Sequence, residues 1–179
     1  MAWRRDGEPA NKPAAGTFLC PSRIRRSVRD ASAFDATQFL GLARAAKRDP
    51  YRLSLFARHL EPDEDPLIFL PVHSGTLIVT DQRVVEFRAH LDVHGAWNVR
   101  SFEGYGIHQA WPRGAIREIE HRFQASEVTA VGSHQGEEKL LLAAEAGPVE
   151  VRVSKGYEPT LTADEFVVLR AAVLGNQAK

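Results

Sequence analysis

Gly75-Thr76-Leu77-Ile78-Val79-Thr80-Asp81-Gln82-Arg83-Val84-Val85-Glu86-Phe87 decides the fold. Thr76–Thr80 and Arg83–Arg88 are short runs rich in β-branched and aromatic residues, and the Asp81-Gln82 pair between them fits a tight turn. The pattern repeats outward. Leu67-Ile68-Phe69-Leu70 precedes it, and Ala115 to Phe123, Val128 to Val131, Lys139 to Ala144 and Val149 to Val153 follow. In the last run Val149, Val151 and Val153 alternate with Glu150 and Arg152, the period of a strand with one face inward. The links His73-Ser74-Gly75, His134-Gln135-Gly136 and Gly147-Pro148 suit an antiparallel meander. Seven short strands at this spacing predict a sandwich or barrel rather than a parallel sheet.

Helices flank the strands. Thr162-Ala163-Asp164-Glu165 is a capping box, Leu161 and Phe166 form its hydrophobic staple, and Gly175-Asn176 stops the helix. Upstream, Phe39, Leu42, Ala43 and Ala46 recur at helical spacing. Asp49-Pro50 reads as an N-cap followed by Pro at the first helical position, with Leu53, Phe56 and Leu60 as the apolar stripe. The acidic run Glu61-Pro62-Asp63-Glu64-Asp65-Pro66 lacks the spacing and central Gly of a Ca²⁺ loop and is expected to be a solvated turn.

The chain has 179 residues, enough for a core without disulfide or metal staples, and its 44% hydrophobic and 26% charged content is that of a globular protein. Cys20 is the single cysteine, which excludes a disulfide framework and a Cys-rich metal site. No apolar run approaches a membrane span, and the N-terminus lacks a signal-like apolar stretch, so a cytoplasmic location is expected. The net charge of zero conceals an asymmetry. Residues 1–30 hold Arg4, Arg5, Lys12, Arg23, Arg25, Arg26 and Arg29 against three acids, a net +4, while the remainder carries −4. With its prolines and glycines, this segment is expected to be a flexible basic arm, either simply solvated or able to meet an anionic lipid surface or nucleic acid.

Seven antiparallel strands closed by one amphipathic C-terminal helix resemble the pleckstrin-homology (PH) architecture. The Gly75–Phe87 segment is similar to the strand–turn–strand signature of bacterial PH-like and GRAM-type domains, and Trp111-Pro112-Arg113-Gly114-Ala115-Ile116-Arg117-Glu118-Ile119 resembles their next element. The resemblance implies an α+β, mainly β fold: a bent seven-stranded antiparallel barrel or sandwich capped by a C-terminal helix. The chain then divides into an arm (1–30), a two-helix extension packed on the domain (31–61) and the PH-like domain (62–175). It also implies a non-catalytic adaptor that contacts proteins, as bacterial members often do in oligomers. The first hairpin, Pro71-Val72-His73-Ser74-Gly75-Thr76, holds no Lys or Arg, which counts against a phosphoinositide headgroup there.

Candidate chemistry is sparse. His90 and His94 are four residues apart, a ligand spacing that works on a helix and not on a strand, so no metal is expected. Glu118 and Glu120 would share a strand face, best explained as a polar outer surface beside Arg117 and Arg122. Phosphate-cradling glycine loops are absent, so neither catalysis nor a cofactor is expected. The segment His90–Arg113 concentrates His90, His94, Trp97, Arg100, Tyr105, His108, Trp111 and Arg113, residue types that populate binding hot spots. It is the candidate binding region, with Trp97 and Trp111 either exposed or in the core. The charge distribution makes a poor nucleic-acid groove. The leading expectation is a protein-binding module, as a homo-oligomer or with another protein. Peripheral attachment to an anionic membrane through the arm is the alternative, and an unrecognised enzyme marked by a buried carboxylate–histidine pair comes third.

Overall fold

The computed structural model describes residues 29–94, 99–125 and 135–175, and the side chains among these other than residues 92–101. The chain is mainly β. After a 3-10 turn, Ala31–Phe34, come β1 (Gln38–Phe39), a second 3-10 turn (Gly41–Ala43) and α1 (Pro50–Ala57). The strands follow: β2 (Pro66–Val72), β3 (Gly75–Thr80), β4 (Arg83–His94), β5 (Val99–Pro112), β6 (Ile116–Ala125), β7 (Gly136–Ala144) and β8 (Gly147–Gly156). The last element is α2 (Ala163–Leu174). Strands β1-β2-β3-β4-β5 form one sheet and β6-β7-β8 another; β1 runs parallel to β2 and every other pairing is antiparallel. Among the described residues the sheets do not close into a barrel.

Two apolar clusters explain the strand sequences. The larger lies between the sheets and under α2, and includes Leu70, Leu77, Val79, Val84, Ile116, Leu140, Val151, Leu169 and Val173. The smaller joins Phe34, Leu53, Phe56, Ala57 and Leu60 of the N-terminal segment to Ile78, Val85 and Phe87 on the opposite face of the first sheet. Leu77-Ile78-Val79 and Val84-Val85 are therefore apolar without alternation because both faces of β3 and β4 are covered. Each such side chain taken fully out of water contributes about 1.5–3 kcal/mol.

The local signals at the helices behave as their chemistry requires. The Asp49 carboxylate accepts from the N–H groups of Tyr51 (3.0 Å) and Arg52 (3.4 Å), with Pro50 opening α1. Thr162 Oγ1 accepts from the Glu165 N–H at 3.2 Å, and Glu165 Oε2 accepts from the Thr162 N–H at 2.9 Å. Glu165 also receives the Arg44 guanidinium, so the cap of α2 is tied to the N-terminal segment.

Three expectations need correction. The periodic run from Phe39 to Ala46 is not a helix. Leu40 donates to the Phe69 carbonyl at 3.0 Å as β1 pairs with β2, and Gly41 then takes a left-handed φ of 58° that an α-helix cannot hold. The polar stretch after His90, absent from the seven expected strands, supplies the outer part of β4 and most of β5, whose pairing carries register shifts at Glu86/Phe87 and at His90/Leu91. The acidic run at 61–66 is not wholly solvated, since Glu64 is completely buried. The expected strand Val128–Val131 lies outside the described residues.

Candidate functional site

The register of β4 and β5 sets Phe87 opposite Ile107, Ala89 opposite Tyr105 and Leu91 opposite Phe102, so one face of the hairpin is apolar from its base outward. α1 crosses the base of that face. Phe56 meets Phe69 and Phe87 edge-on, with ring centroids 5.5 and 5.2 Å apart, and stacks on Tyr105 at 4.0 Å. Phe39, delivered by β1, stacks on Phe69 at 4.9 Å. Between these rings and the β2–β3 turn at His73–Thr76 lies an open cavity of about 500 Å³, within the usual size range of ligand pockets.

The mouth is charged on one side. Lys47, Arg48 and Arg52 stand along it, with Asp49 the sole acid lining the cavity among the described residues, its Oδ1 capping α1. Arg48 is held in place, its guanidinium 4.6 Å over the Phe39 ring and its Nη1 donating to the Asp35 carbonyl at 3.4 Å. Arg52 lies 3.8 Å from Asp49, both well exposed, and Lys47 has no ion-pair partner among the described residues. Across the cavity the β2–β3 turn is fixed by Ser74, which donates to the buried Glu86 at 2.7 Å, with Arg88 against the same carboxylate at 3.2 Å.

The residues singled out from sequence are dispersed by this geometry. Tyr105 lines the cavity. His90 and His108 are exposed on the hairpin, with the His90 ring over Gly106. Trp111 pairs with Val84 and is only 8% exposed, a core residue unavailable for contact or membrane insertion. Arg113 donates to the Asp81 carbonyl at 3.1 Å and lies against Gly175 at the C-terminus of α2, where a cation suits the helix dipole. His94 and Arg100 sit in the β4–β5 ladder with side chains outside the described set, and Trp97 lies outside it altogether, as do Arg4, Arg5, Arg23, Arg25 and Arg26. Arg29 is folded onto the turn after α1, donating to the Glu64 carbonyl and to Asp65 at 3.2 Å. Sequence reading missed Phe39, Phe69 and the three cations as site residues. They converge only through β1–β2 pairing and the packing of α1, which no local spacing encodes.

Two buried carboxylates fix the frame. Glu64 accepts from Arg83 Nε (2.7 Å) and Nη2 (2.8 Å), from the Thr80 hydroxyl (2.8 Å) and from the Glu61 N–H (2.9 Å). Burial pushes its carboxyl up, but these donors, Arg83 foremost, outweigh burial and hold it below the ordinary range. Glu138 lies 2.8 Å from His121 Nε2, the kind of carboxylate–histidine pair that would mark a catalytic centre. Its oxygens are saturated, however, by the hydroxyls of Ser154 (2.6 Å) and Thr160 (2.7 Å) and by the N–H groups of Thr160 (2.9 Å) and Leu161 (3.0 Å). Burial raises this carboxyl too, and the four donors bring it below its ordinary value. The arrangement pins the segment entering α2 to β7. On the outer face of β6, Glu120 pairs with Arg122, and Glu118 is exposed.

What fold and cleft together define is a two-sheet, mainly β protein with a C-terminal helix and an aromatic cavity walled by its N-terminal segment. Neither a protein-family model, a curated protein nor a solved structure matches the chain. Among the described residues, no helix is long and apolar enough to cross a membrane, and no cluster of three or more His, Cys, Asp or Glu could hold a metal.

Proposed function

We propose that this chain is a PH-like, non-catalytic adaptor module that binds a partner protein through the α1 cleft and the apolar face of the β4–β5 hairpin. One observation carries the reading. The aromatic series Phe69–Phe56–Tyr105–Phe102 runs from the cavity onto the surface, Phe102 meeting Tyr105 at 5.1 Å. There Leu91, Phe102 and Ile107 are each 41–48% exposed on one face. An apolar surface continuous with a preformed cavity, rimmed by charge, has the make-up of a contact site, and an enclosed small molecule would leave the hairpin part unused. The PH-like part of the reading is supported by seven antiparallel strands, β2–β8, followed by a capped C-terminal helix.

Peptides selected from a random phage-displayed library on the full chain test the assignment. Their affinity should fall roughly ten-fold or more, about 1.4 kcal/mol, in Tyr105→Ala and in Ala46→Trp, which fills the cavity mouth from an exposed position. Peptides that bind both variants as they bind the wild type would place the contact elsewhere and refute it.

A further inference from the structure

We infer that the segment received by this cleft is acidic: one large apolar side chain enters the cavity, and a carboxylate within about two residues of it meets the Lys47–Arg48–Arg52 rim. The inference rests on the binding-module reading above and adds the chemistry of the partner. The cavity floor is built of Phe39, Leu53, Phe56, Phe69 and Tyr105, which reward an aromatic or aliphatic group. The rim is cationic on the α1 side alone, where three basic residues fall within six positions of sequence. The single acid among them, Asp49, caps α1 through Oδ1 and lies 3.8 Å from Arg52 through Oδ2, so it offsets one of the three charges and leaves the rim net positive, with Lys47 and Arg48 outside that pair.

Arg48 is the ordered member. Its stacking on Phe39 and its bond to the Asp35 carbonyl fix the guanidinium plane beside the apolar floor, so a carboxylate can be met with little further loss of side-chain freedom. Lys47 and Arg52 add charge on flexible stems, which gives salt-dependent attraction more than geometry. A polyphosphate headgroup fits poorly. The opposite lip, His73-Ser74-Gly75, carries no Lys or Arg, and multiply charged oxygens would be desolvated against phenyl rings. A purely apolar ligand would leave the cations without a role. The exposed hairpin residues Leu91, Phe102 and Ile107 favour a polypeptide, whose neighbouring residues could cover them.

The test uses the phage-selected peptides with the full chain, the double variant Lys47→Glu/Arg52→Glu and the cavity-filled Ala46→Trp. The thermal midpoint of each variant is measured as a control for folding. The expected result is enrichment of Asp or Glu beside Phe, Trp or Leu, an affinity that falls with added salt, and a roughly ten-fold loss in the charge-reversed variant. Enriched peptides without acidic residues, or peptides bound equally by the charge-reversed variant yet lost in Ala46→Trp, would overturn the acidic inference and leave the cleft standing. Peptides indifferent to Ala46→Trp, or no enrichment at all, would overturn both.

Discussion

Replacing Glu138 by Gln changes almost nothing in shape and tests whether one carboxylate holds α2 in place. Glu138 is fully buried, and its two oxygens serve Ser154, Thr160, Leu161 and His121. The Thr160 N–H points at one oxygen and the Leu161 N–H at the other. A Gln amide can satisfy only one of these, because its NH₂ must face the other backbone donor. A stranded buried N–H costs about 1–3 kcal/mol, and replacing charge-assisted bonds by neutral ones adds about 1, so the expected loss is about 3 kcal/mol. In a chain of this size that lowers the thermal midpoint by roughly 6–12 °C.

Urea unfolding supplies the free energy, and hydrogen exchange should show the loss of protection concentrated from Leu161 to Leu169. Acid provides a second readout. The carboxyl is held below its ordinary value of 4.5 in the folded state, so as pH falls past that value the unfolded chain takes up its proton first. The contribution of Glu138 is complete above that range and is lost toward lower pH. The gap between wild type and Glu138→Gln should therefore narrow as the solution is acidified below about pH 4.5. A loss under about 0.5 kcal/mol at pH 7, or unchanged protection of α2, would refute the reasoning.

Arg83→Met strands the buried Glu64 charge and should cost about 3–5 kcal/mol at pH 7 in urea unfolding, with part of the deficit recovered in acid as Glu64 takes a proton. Gly75→Ala would put a Cβ 1.9 Å from the Phe87 carbonyl oxygen, a backbone atom that cannot step aside. It should destabilise by about 3 kcal/mol or more and disturb the β2–β3 turn at the cleft lip, visible as amide shifts at His73–Thr76. Asp49→Ala removes the α1 cap and should cost about 1 kcal/mol, read from the same unfolding curves.

Sequence reading reached what is encoded by neighbours in the chain. Thr162 and Glu165 find each other across one helical turn, and Asp49-Pro50 sets its own helix start, so both signals survive folding intact. It failed where partners come from afar. Glu64 resembled its exposed acidic neighbours because its reason for burial, Arg83, lies 19 positions away. Phe39–Ala46 had helical spacing, but pairing with β2 and the left-handed Gly41 prevailed over it. β5 hid its strand character because two register shifts interrupt the period that would have marked it, and its Gly and His residues resemble a loop. Of the cleft, Tyr105 alone was foreseen; the rings of Phe39 and Phe69 read as ordinary core, and the cations as surface.

Covering both faces of β3 and β4 has a consequence for where this chain can be divided. A cut at residue 62, just before the first strand of the antiparallel series, would pass through a core instead of a linker. Phe69, Ile78, Val85 and Phe87 would then form an open hydrophobic plane on the fragment. Ile78, Val85 and Phe87 are thus as much the core of the N-terminal segment as of the sheet, and a fragment lacking residues 31–60 should be sticky rather than minimal.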